Sequence, residues 1–268
     1  LQIISARALD VPQEAVRVGE PDTANELFFT GVSSQRTTMQ MGAAVVRAAD
    51  ELRAGMIAAA ARLHETPAER WSLREGELAG PEGASMTLHE LATNLPPSRS
   101  LEGRGAFRTR EARARESLGR DHWTAGAMAV ETALDEETGD IRLLRCSAVA
   151  DAGKVLHYAS AKGQVEGGVV LGIGLSLLED LIYEDGQMQN GDPFQYRLPK
   201  MRDVPPEFPV VMLENEDGPG PYGSKAMAQT SVPCVVPAVA NAVYDASGVR
   251  LTEAPFTPER VLRALGKL

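Results

Sequence analysis

A run of hydrogen-bonding side chains precedes a long predicted helix near the start of the chain. Ser33, Ser34, Gln35, Arg36 and Thr37 offer three hydroxyls, one amide and one guanidinium. The first turn of a helix presents unpaired N–H groups and the positive end of the helix dipole, which suits phosphate. The guanidinium could add a two-pronged hydrogen bond. Capping of the helix by a serine or threonine explains the same residues, so an anion site and a simple cap both remain open.

A glycine-rich predicted helix carries a second candidate side chain, Gln164. A dinucleotide-binding pattern fails here because Gly172-Ile173-Gly174 continues into leucine and serine, and no strand with a tight turn precedes it. Glycines on a helix also permit another backbone to pack closely, which offsets their cost to helix stability. Gln164 could therefore bind a ligand or be an exposed residue of the first turn.

A third group of candidates follows a loop rich in glycine and proline, residues 218–223. Its members are Lys225, Ala228, Gln229 and Thr230. Rigid loops on a scaffold often hold binding sites, although a plain connection between elements explains the segment as well. The sequence offers no pair of carboxylates, no defensible Ser/His/Asp order and no nucleophile elbow.

Composition excludes several classes of function. The formal net charge is -10, which disfavours a general nucleic-acid-binding role because phosphate backbones require basic surfaces. Two cysteines, Cys146 and Cys234, cannot make a four-thiolate iron–sulfur site, and a reducing compartment is expected. No apolar run is long enough to span a bilayer, and no basic leader marks the chain for export. A cytoplasmic protein without membrane or nucleic-acid partners is the prediction.

Hydrophobic periodicity and turn residues predict the elements that must position these groups. In chain order they are the tail of an amphipathic helix (1–9), a short strand (15–18), a long helix (39–63), short strands with one helix (87–92) within 66–95, two hairpin strands (125–134 and 141–150), a helix (159–182), a strand (210–213) and two helices (236–246 and 258–265). Strands and helices without strict alternation indicate an α+β fold with mixed sheets and packed helices.

The predicted elements also suggest how the chain is organised. One domain, 1–268, would subdivide into 1–95 and 123–268, joined by an extended crossover at 96–122. Because residue 1 already lies inside a predicted helix with no cap before it, the chain is expected to be part of something longer or half of a split subunit.

Several segments together resemble the molybdenum-cofactor-binding subunit of the xanthine dehydrogenase/aldehyde oxidase family, in its C-terminal half. The segments that carry the resemblance are Thr30-Gly31 with Arg36-Thr37-Thr38 and Met41-Gly42, the stretch from Gln164 to Val170 with Gly172, Gly174 and Leu178-Glu179, Tyr196 to Pro199 with Asp203-Val204-Pro205, Gly218 to Lys225, Pro237 to Arg250, and Pro255 to Leu262. Each motif is weak alone, but their shared order and spacing over nearly the whole chain are specific.

The resemblance implies a hydroxylase of aldehydes or nitrogen heterocycles that takes its oxygen from water. It implies a molybdopterin-type cofactor, with the cytosine dinucleotide form as one option, and [2Fe–2S] and FAD groups on partner domains or subunits. It implies the N-terminal half of the subunit as a further partner. In this reading residues 33–37 contact the pterin or its phosphate, and Gln164 lies near the molybdenum. Lys225, Ala228 and Thr230 line the cofactor site.

The sequence departs from the family pattern at the position of the catalytic base. The family's motif ends on a glutamate that takes a proton during hydroxylation, whereas this chain reads Lys225-Ala226-Met227-Ala228-Gln229. A carboxylate can act as a base and a neutral amide cannot. Two hypotheses follow: a working part of a molybdenum hydroxylase, or a cofactor-binding paralogue or assembly component with impaired catalysis.

Overall fold

The chain forms two units, each with its own core. The computed structural model describes residues 1–20, 22–24, 31–32, 35–96, 100–108 and 123–268. The first unit comprises 1–122 with 216–226, and the second comprises 123–215 with 227–268. The return of 216–226 to the first unit is not anticipated by boundaries drawn along the sequence. Small mixed sheets with packed helices confirm the predicted α+β class.

The helices of the first unit gather around one long helix. They are α1 (Gln2–Leu9), α2 (Gly42–Leu63) and α3 (Leu88–Asn94), and a π turn at Thr37–Met41 leads into α2. The side chain of Thr87 caps α3 and Glu90 returns the bond, which is a capping box that explains why the helix begins there. The N-terminal helix and the long helix predicted from periodicity are both present.

A small sheet completes the core of the first unit. Strands β1 (Ser72–Arg74), β2 (Glu77–Ala79) and β3 (Ser85–Thr87) form an antiparallel meander in that order. Trp71 and Leu78 pack with the consecutive alanines at 59–61 of α2. Small side chains on that turn of α2 allow the sheet to approach the helix closely.

The described part of the predicted crossover, residues 100–108, has no regular structure and lies along α2. A Cβ on Gly103 would fall 2.0 Å from the carbonyl oxygen of Ala48, and one on Gly105 would fall 2.0 Å from that of Ala44. The backbone N–H of Arg104 also donates to the carboxylate of Glu51. Glycine is therefore required where this segment touches the helix backbone.

The second unit is built on a mixed sheet. Strands β4 (Gly126–Leu134) and β5 (Ile141–Asp151) form the predicted hairpin, with a register shift between Glu131 and Thr132. Strands β6 (Tyr183–Glu184) and β7 (Gln187–Met188) form a separate short hairpin. Strand β8 (Val210–Leu213) pairs with β5 in parallel, so the sheet order is β4-β5-β8.

Two helices cover this sheet, and their backbones meet at glycines. Helix α4 (Tyr158–Ile173) and helix α5 (Val232–Ser247) contribute valines to a core that they share with β5. The last helix is α6 (Pro258–Ala264). A Cβ on Gly168 would lie 2.3 Å from Ser231 Oγ, and one on Gly172 would lie 2.3 Å from Val235 Cγ2. Both glycines therefore serve close packing between the two helices.

The strand predicted at 15–18 is wrong. Residues Gln13–Ala15 form a 3₁₀ turn, and the amide of Gln2 donates to the carbonyl oxygens of Gln13 and Val16 at 3.0 and 2.8 Å. A side chain thus takes the acceptors that a partner strand would use.

Two predicted helix boundaries are also corrected. The helix predicted to reach residue 182 ends at Ile173 and continues as a π turn at Gly174–Leu178, where the N–H of Glu179 donates to the carbonyl of Gly174 and that of Phe256 to the carbonyl of Ser176. Helix α5 begins four residues earlier than predicted. Pro233 lies in its first turn, where a missing N–H costs nothing.

A matched pair of glycines tests the close packing of α4. Gly168→Ala should lower the free energy of unfolding by about 1–3 kcal/mol, because Ser231 is held by a hydrogen bond to the carbonyl of Val165 and must shift. Gly167→Ala should raise it by up to about 1 kcal/mol, because its Cβ would meet nothing within 4 Å. Denaturant unfolding measures both changes, and shifts of the same sign would contradict this account.

Candidate functional site

The described part of the first polar segment lies at the entry to the long helix. Gln35 has a positive φ of 57° and Arg36 is the first helical residue, so both precede the π turn directly. The hydroxyl oxygen of Thr37 is buried and has no hydrogen-bond partner among the described residues. The predicted contacts Ser33 and Ser34 lie outside the described residues. The segment therefore places an amide, a guanidinium and an unsatisfied hydroxyl at one helix N-terminus.

The loop 218–224 packs against that same turn within the first unit. A Cβ on Gly220 would lie 2.5 Å from Ser224 Oγ and 3.4 Å from the Cα of Met39. Ser224 is 3% exposed, and its hydroxyl, like that of Thr37, has no hydrogen-bond partner in the described ranges. Sequence reasoning passed over Ser224, since a lone serine in a loop gives no signal before its burial is known.

An ion pair joins the two residues that flank this loop. The ammonium of Lys225 lies 2.6 Å from Asp217 Oδ1, and its side chain is 5% exposed against 61% for Asp217. Backbone bonds from Gly218 to Gly223 and from Gly220 to Ser224 tighten the loop further. The structure thus gives Lys225 a role in holding its own loop, and its predicted contact with a cofactor stays a prediction.

The second unit brings two of the predicted polar residues to one end of α4. Gln164 is exposed and lies one helical turn before Gly168, on the same face. A Cβ on Gly168 would lie 3.4 Å from the carbonyl oxygen of Ala228, and Gln229, the next residue, is exposed. Two amide side chains are therefore available to solvent around the junction of α4 with the segment 228–231.

The remaining residues of this segment have structural partners. The methyl group of Thr230 packs against the start of β4, where a Cβ on Gly126 would lie 2.5 Å from Thr230 Cγ2. The buried hydroxyl of Ser231 donates to the carbonyl of Val165 at 3.1 Å. The segment carrying Gln229 is therefore anchored on both sides, to a strand and to a helix.

Two carboxylates of the second unit, those of Glu214 and Glu166, already have partners. Glu214 accepts the backbone N–H of Val155 at 2.7 Å and lies 3.6 Å from the ammonium of Lys154. Glu166 forms an ion pair with Lys162 one turn earlier on α4. Over the described ranges, no group of three or more His, Cys, Asp or Glu side chains is placed to bind a metal ion.

Comparison with known proteins decides the family. The model of the molybdopterin cofactor-binding domain matches residues 1–205. The chain belongs to this family. Its relatives include the Escherichia coli K12 protein named "Probable hypoxanthine oxidase XdhD", which is 31% identical over 99% of this chain and 27% of its own length. The nicotine 6-hydroxylase large subunit of Paenarthrobacter nicotinovorans is 29% identical over 97% of this chain and 33% of its own length.

Solved structures of two oxidoreductases share the fold of this chain. Quinoline 2-oxidoreductase from Pseudomonas putida 86 superposes with a TM-score of 0.81 at 26% identity, over 99% of this chain and 35% of that one. Carbon monoxide dehydrogenase from Oligotropha carboxidovorans superposes with a TM-score of 0.82 at 20% identity, which concerns the fold alone. The chain spans about a third or less of the length of these relatives.

The side chains of the first unit fit the cofactor of this family. Pterin edges and phosphate oxygens require donors, and the guanidinium of Arg36 and the amide of Gln35 supply them. Within the part of the chain that the structure describes, the buried hydroxyl of Thr37 has no partner, which is unusual for a buried polar group. Together with the first-turn N–H groups, these donors form a surface suited to an anionic ligand.

Substitution of Lys225 separates loop closure from cofactor contact. Lys225→Met should lower the free energy of unfolding by about 1–3 kcal/mol, since a charged hydrogen bond at 2.6 Å is lost in a buried position. Lys267→Met is the control, because its pair with Glu136 at 3.3 Å is exposed and worth about 0–1 kcal/mol. Normal unfolding combined with reduced cofactor content would assign Lys225 to the cofactor instead.

Proposed function

We propose that this chain is the C-terminal, cofactor-binding part of a molybdenum hydroxylase. The match of residues 1–205 to the molybdopterin cofactor-binding domain carries the proposal. Hypoxanthine, nicotine and quinoline, the compounds named for three of its relatives, are all nitrogen heterocycles. We therefore propose a nitrogen heterocycle as the substrate class. An aldehyde is the alternative, since a molybdenum-binding subunit of an aldehyde oxidoreductase is also a relative.

In this proposal the two units have different tasks. Gln35, Arg36 and Thr37 of the first unit hold the pterin or its phosphate through charged and neutral hydrogen bonds. Gln164 and Gln229 of the second unit present amides that donate to, and accept from, the polar edge of a heterocycle. The molybdenum cofactor, when bound, supplies the redox and hydroxylation chemistry. The chain itself binds and orients.

The proposed partners are the ones that the family resemblance implies. The family resemblance implies [2Fe–2S] and FAD groups on partner domains or subunits, and the two cysteines of this chain are too few for a four-thiolate cluster. The N-terminal half of the molybdenum subunit supplies the rest of the cofactor site. Both cysteines are free thiols, which suits the reducing cytoplasm that we propose as the location. No helix in the described ranges is long and apolar enough to cross a membrane.

A second function is favoured by one residue. The family resemblance puts Gln229 at the position of the family's base, and a neutral amide cannot take a proton. The carboxylates of Glu214 and Glu166 are engaged in ion pairs and do not offer an evident substitute. A cofactor-binding paralogue or assembly component with impaired catalysis is therefore the competing proposal.

The anion site is tested by removing its guanidinium. Arg36→Ala in the assembled protein should weaken cofactor retention by about tenfold or more, because a hydrogen bond to a charged group contributes about 1.5–3 kcal/mol. Arg62→Ala is the matched control, since it removes the same charge from the exposed last turn of α2. Molybdenum and pterin content per chain is the measurement. Equal content in all three proteins would show that the segment only caps a helix.

The catalytic position is tested by restoring a carboxylate. Gln229→Glu should raise turnover per bound molybdenum by about 10²- to 10⁴-fold if proton transfer limits the rate, because a positioned base contributes that much. Gln164→Glu is the control, since it adds the same charge to the other exposed amide of the site. Brisk turnover by the parent protein, with no gain from the glutamate at 229, would assign the base elsewhere and defeat the impaired-catalysis proposal.

A further inference from the structure

The first unit contains two buried hydroxyl groups, those of Thr37 and Ser224, whose hydrogen bonds are not accounted for. Neither oxygen has a hydrogen-bond partner in the part of the chain that the structure describes. Ser224 is 3% exposed. Most buried polar groups in native proteins are satisfied, because an unsatisfied one costs free energy. A pair of unsatisfied hydroxyls therefore points to a group that supplies their partner on binding.

The geometry around Gly220 places Ser224 against the turn that contains Thr37. A Cβ on Gly220 would lie 2.5 Å from Ser224 Oγ and 3.4 Å from the Cα of Met39, so a single methyl group there would touch both. Met39 belongs to the π turn Thr37–Met41, which leads into α2. The hydroxyl of Ser224 therefore lies beside the helix entry that is proposed to hold the cofactor.

The loop itself does not require a serine at position 224. The N–H of Ser224 donates to the carbonyl of Pro221 at 3.1 Å, and its carbonyl accepts from the N–H of Gly220 at 3.0 Å. Both bonds belong to the main chain, and the ion pair that joins the ends of the loop is made by Lys225 and Asp217. An alanine would keep these contacts without the cost of a buried hydroxyl. The side chain of Ser224 is therefore explained by something other than loop closure.

We propose that Ser224 is a further cofactor-binding residue of the first unit, and that its hydroxyl acts together with that of Thr37 on an acceptor group of molybdopterin. A hydroxyl supplies one donor and two acceptor positions, and both phosphate and the pterin edge offer acceptors. Because Ser224 is buried in the unbound chain, its loop has to shift slightly from the π turn before a ligand atom can reach the hydroxyl. The inference rests on the proposed function and adds to it a binding residue and a loop movement.

Removal of the two hydroxyls in the assembled subunit tests this role. Ser224→Ala and Thr37→Val should each raise the unfolding midpoint of the cofactor-free subunit, because an unsatisfied buried hydroxyl gives way to an apolar group. Each should also lower the molybdenum and pterin content per chain by about tenfold or more, because a hydrogen bond to a charged ligand is lost. Thr132→Val is the matched control. Its hydroxyl lies in β4 of the second unit and is also buried without a partner in the described ranges, so it should raise the midpoint and leave the cofactor content unchanged.

Opposite changes in stability and cofactor content distinguish ligand binding from a structural role. A lower midpoint for cofactor-free Ser224→Ala would show that the hydroxyl already has a partner within the protein, and it would overturn the inference. Amide hydrogen exchange of residues 218–224 tests the loop movement, since the bound cofactor should slow the opening of this loop. Equal exchange with and without the cofactor would contradict the movement.

Cofactor analysis of the parent subunit keeps the two proposals apart. If the assembled parent holds no molybdopterin, the proposed function is wrong, and the role of Ser224 is wrong with it. If the parent and Ser224→Ala hold equal amounts of molybdenum and pterin, the function stands and the role of Ser224 alone is overturned.

Discussion

The close approach of two backbones at Gly168 and Gly172 is the constraint on which the second unit depends. A Cβ at either position would fall 2.3 Å from an atom of the segment 231–235, a distance that no real Cβ contact tolerates. Interiors are packed too tightly to absorb such an overlap without moving a helix. The approach also fixes where the polar groups emerge, since Gln164 and Gln229 flank the contact. A packing requirement therefore determines the geometry of the candidate site.

The first unit solves a different problem, which is to hold a loop rich in glycine and proline against the start of a helix. Pro221 packs against Gly42, where a Cβ would lie 2.8 Å from the proline ring. The pair between Lys225 and Asp217 closes the loop at its neck. These contacts fix the loop against the start of α2. Hydrogen-bond donors that are already fixed lose less entropy on binding, and this favours retention of a cofactor.

Local sequence signals predicted the elements that depend on local physics. The hairpin β4–β5 follows from alternation around a polar turn, and α6 follows from its cap at Thr257. The elements that were missed depend on distant contacts. The side-chain amide of Gln2 donates to the carbonyl of Gln13, an acceptor that a neighbouring strand would otherwise use. The N–H of Phe256 donates to a carbonyl of the π turn that follows α4. The burial of Lys225 likewise arises only when its loop closes, whereas its contact with the cofactor was expected from the family resemblance and stays a prediction.

A similar fold does not imply the same chemistry at position 229, where this chain has a glutamine and the family resemblance implies a glutamate. A glutamine and a glutamate are nearly equal in size, so the same backbone accommodates either side chain. The similarity of this fold to that of quinoline 2-oxidoreductase therefore does not depend on which of the two is present. The distinction is one of protonation: a carboxylate stores a proton, whereas an amide donates and accepts hydrogen bonds without changing charge. Because Gln229 is exposed at the surface of its unit, no internal packing explains the choice of residue there. The difference between the two side chains is therefore expressed in what can bind at the surface of the unit and not in its internal packing.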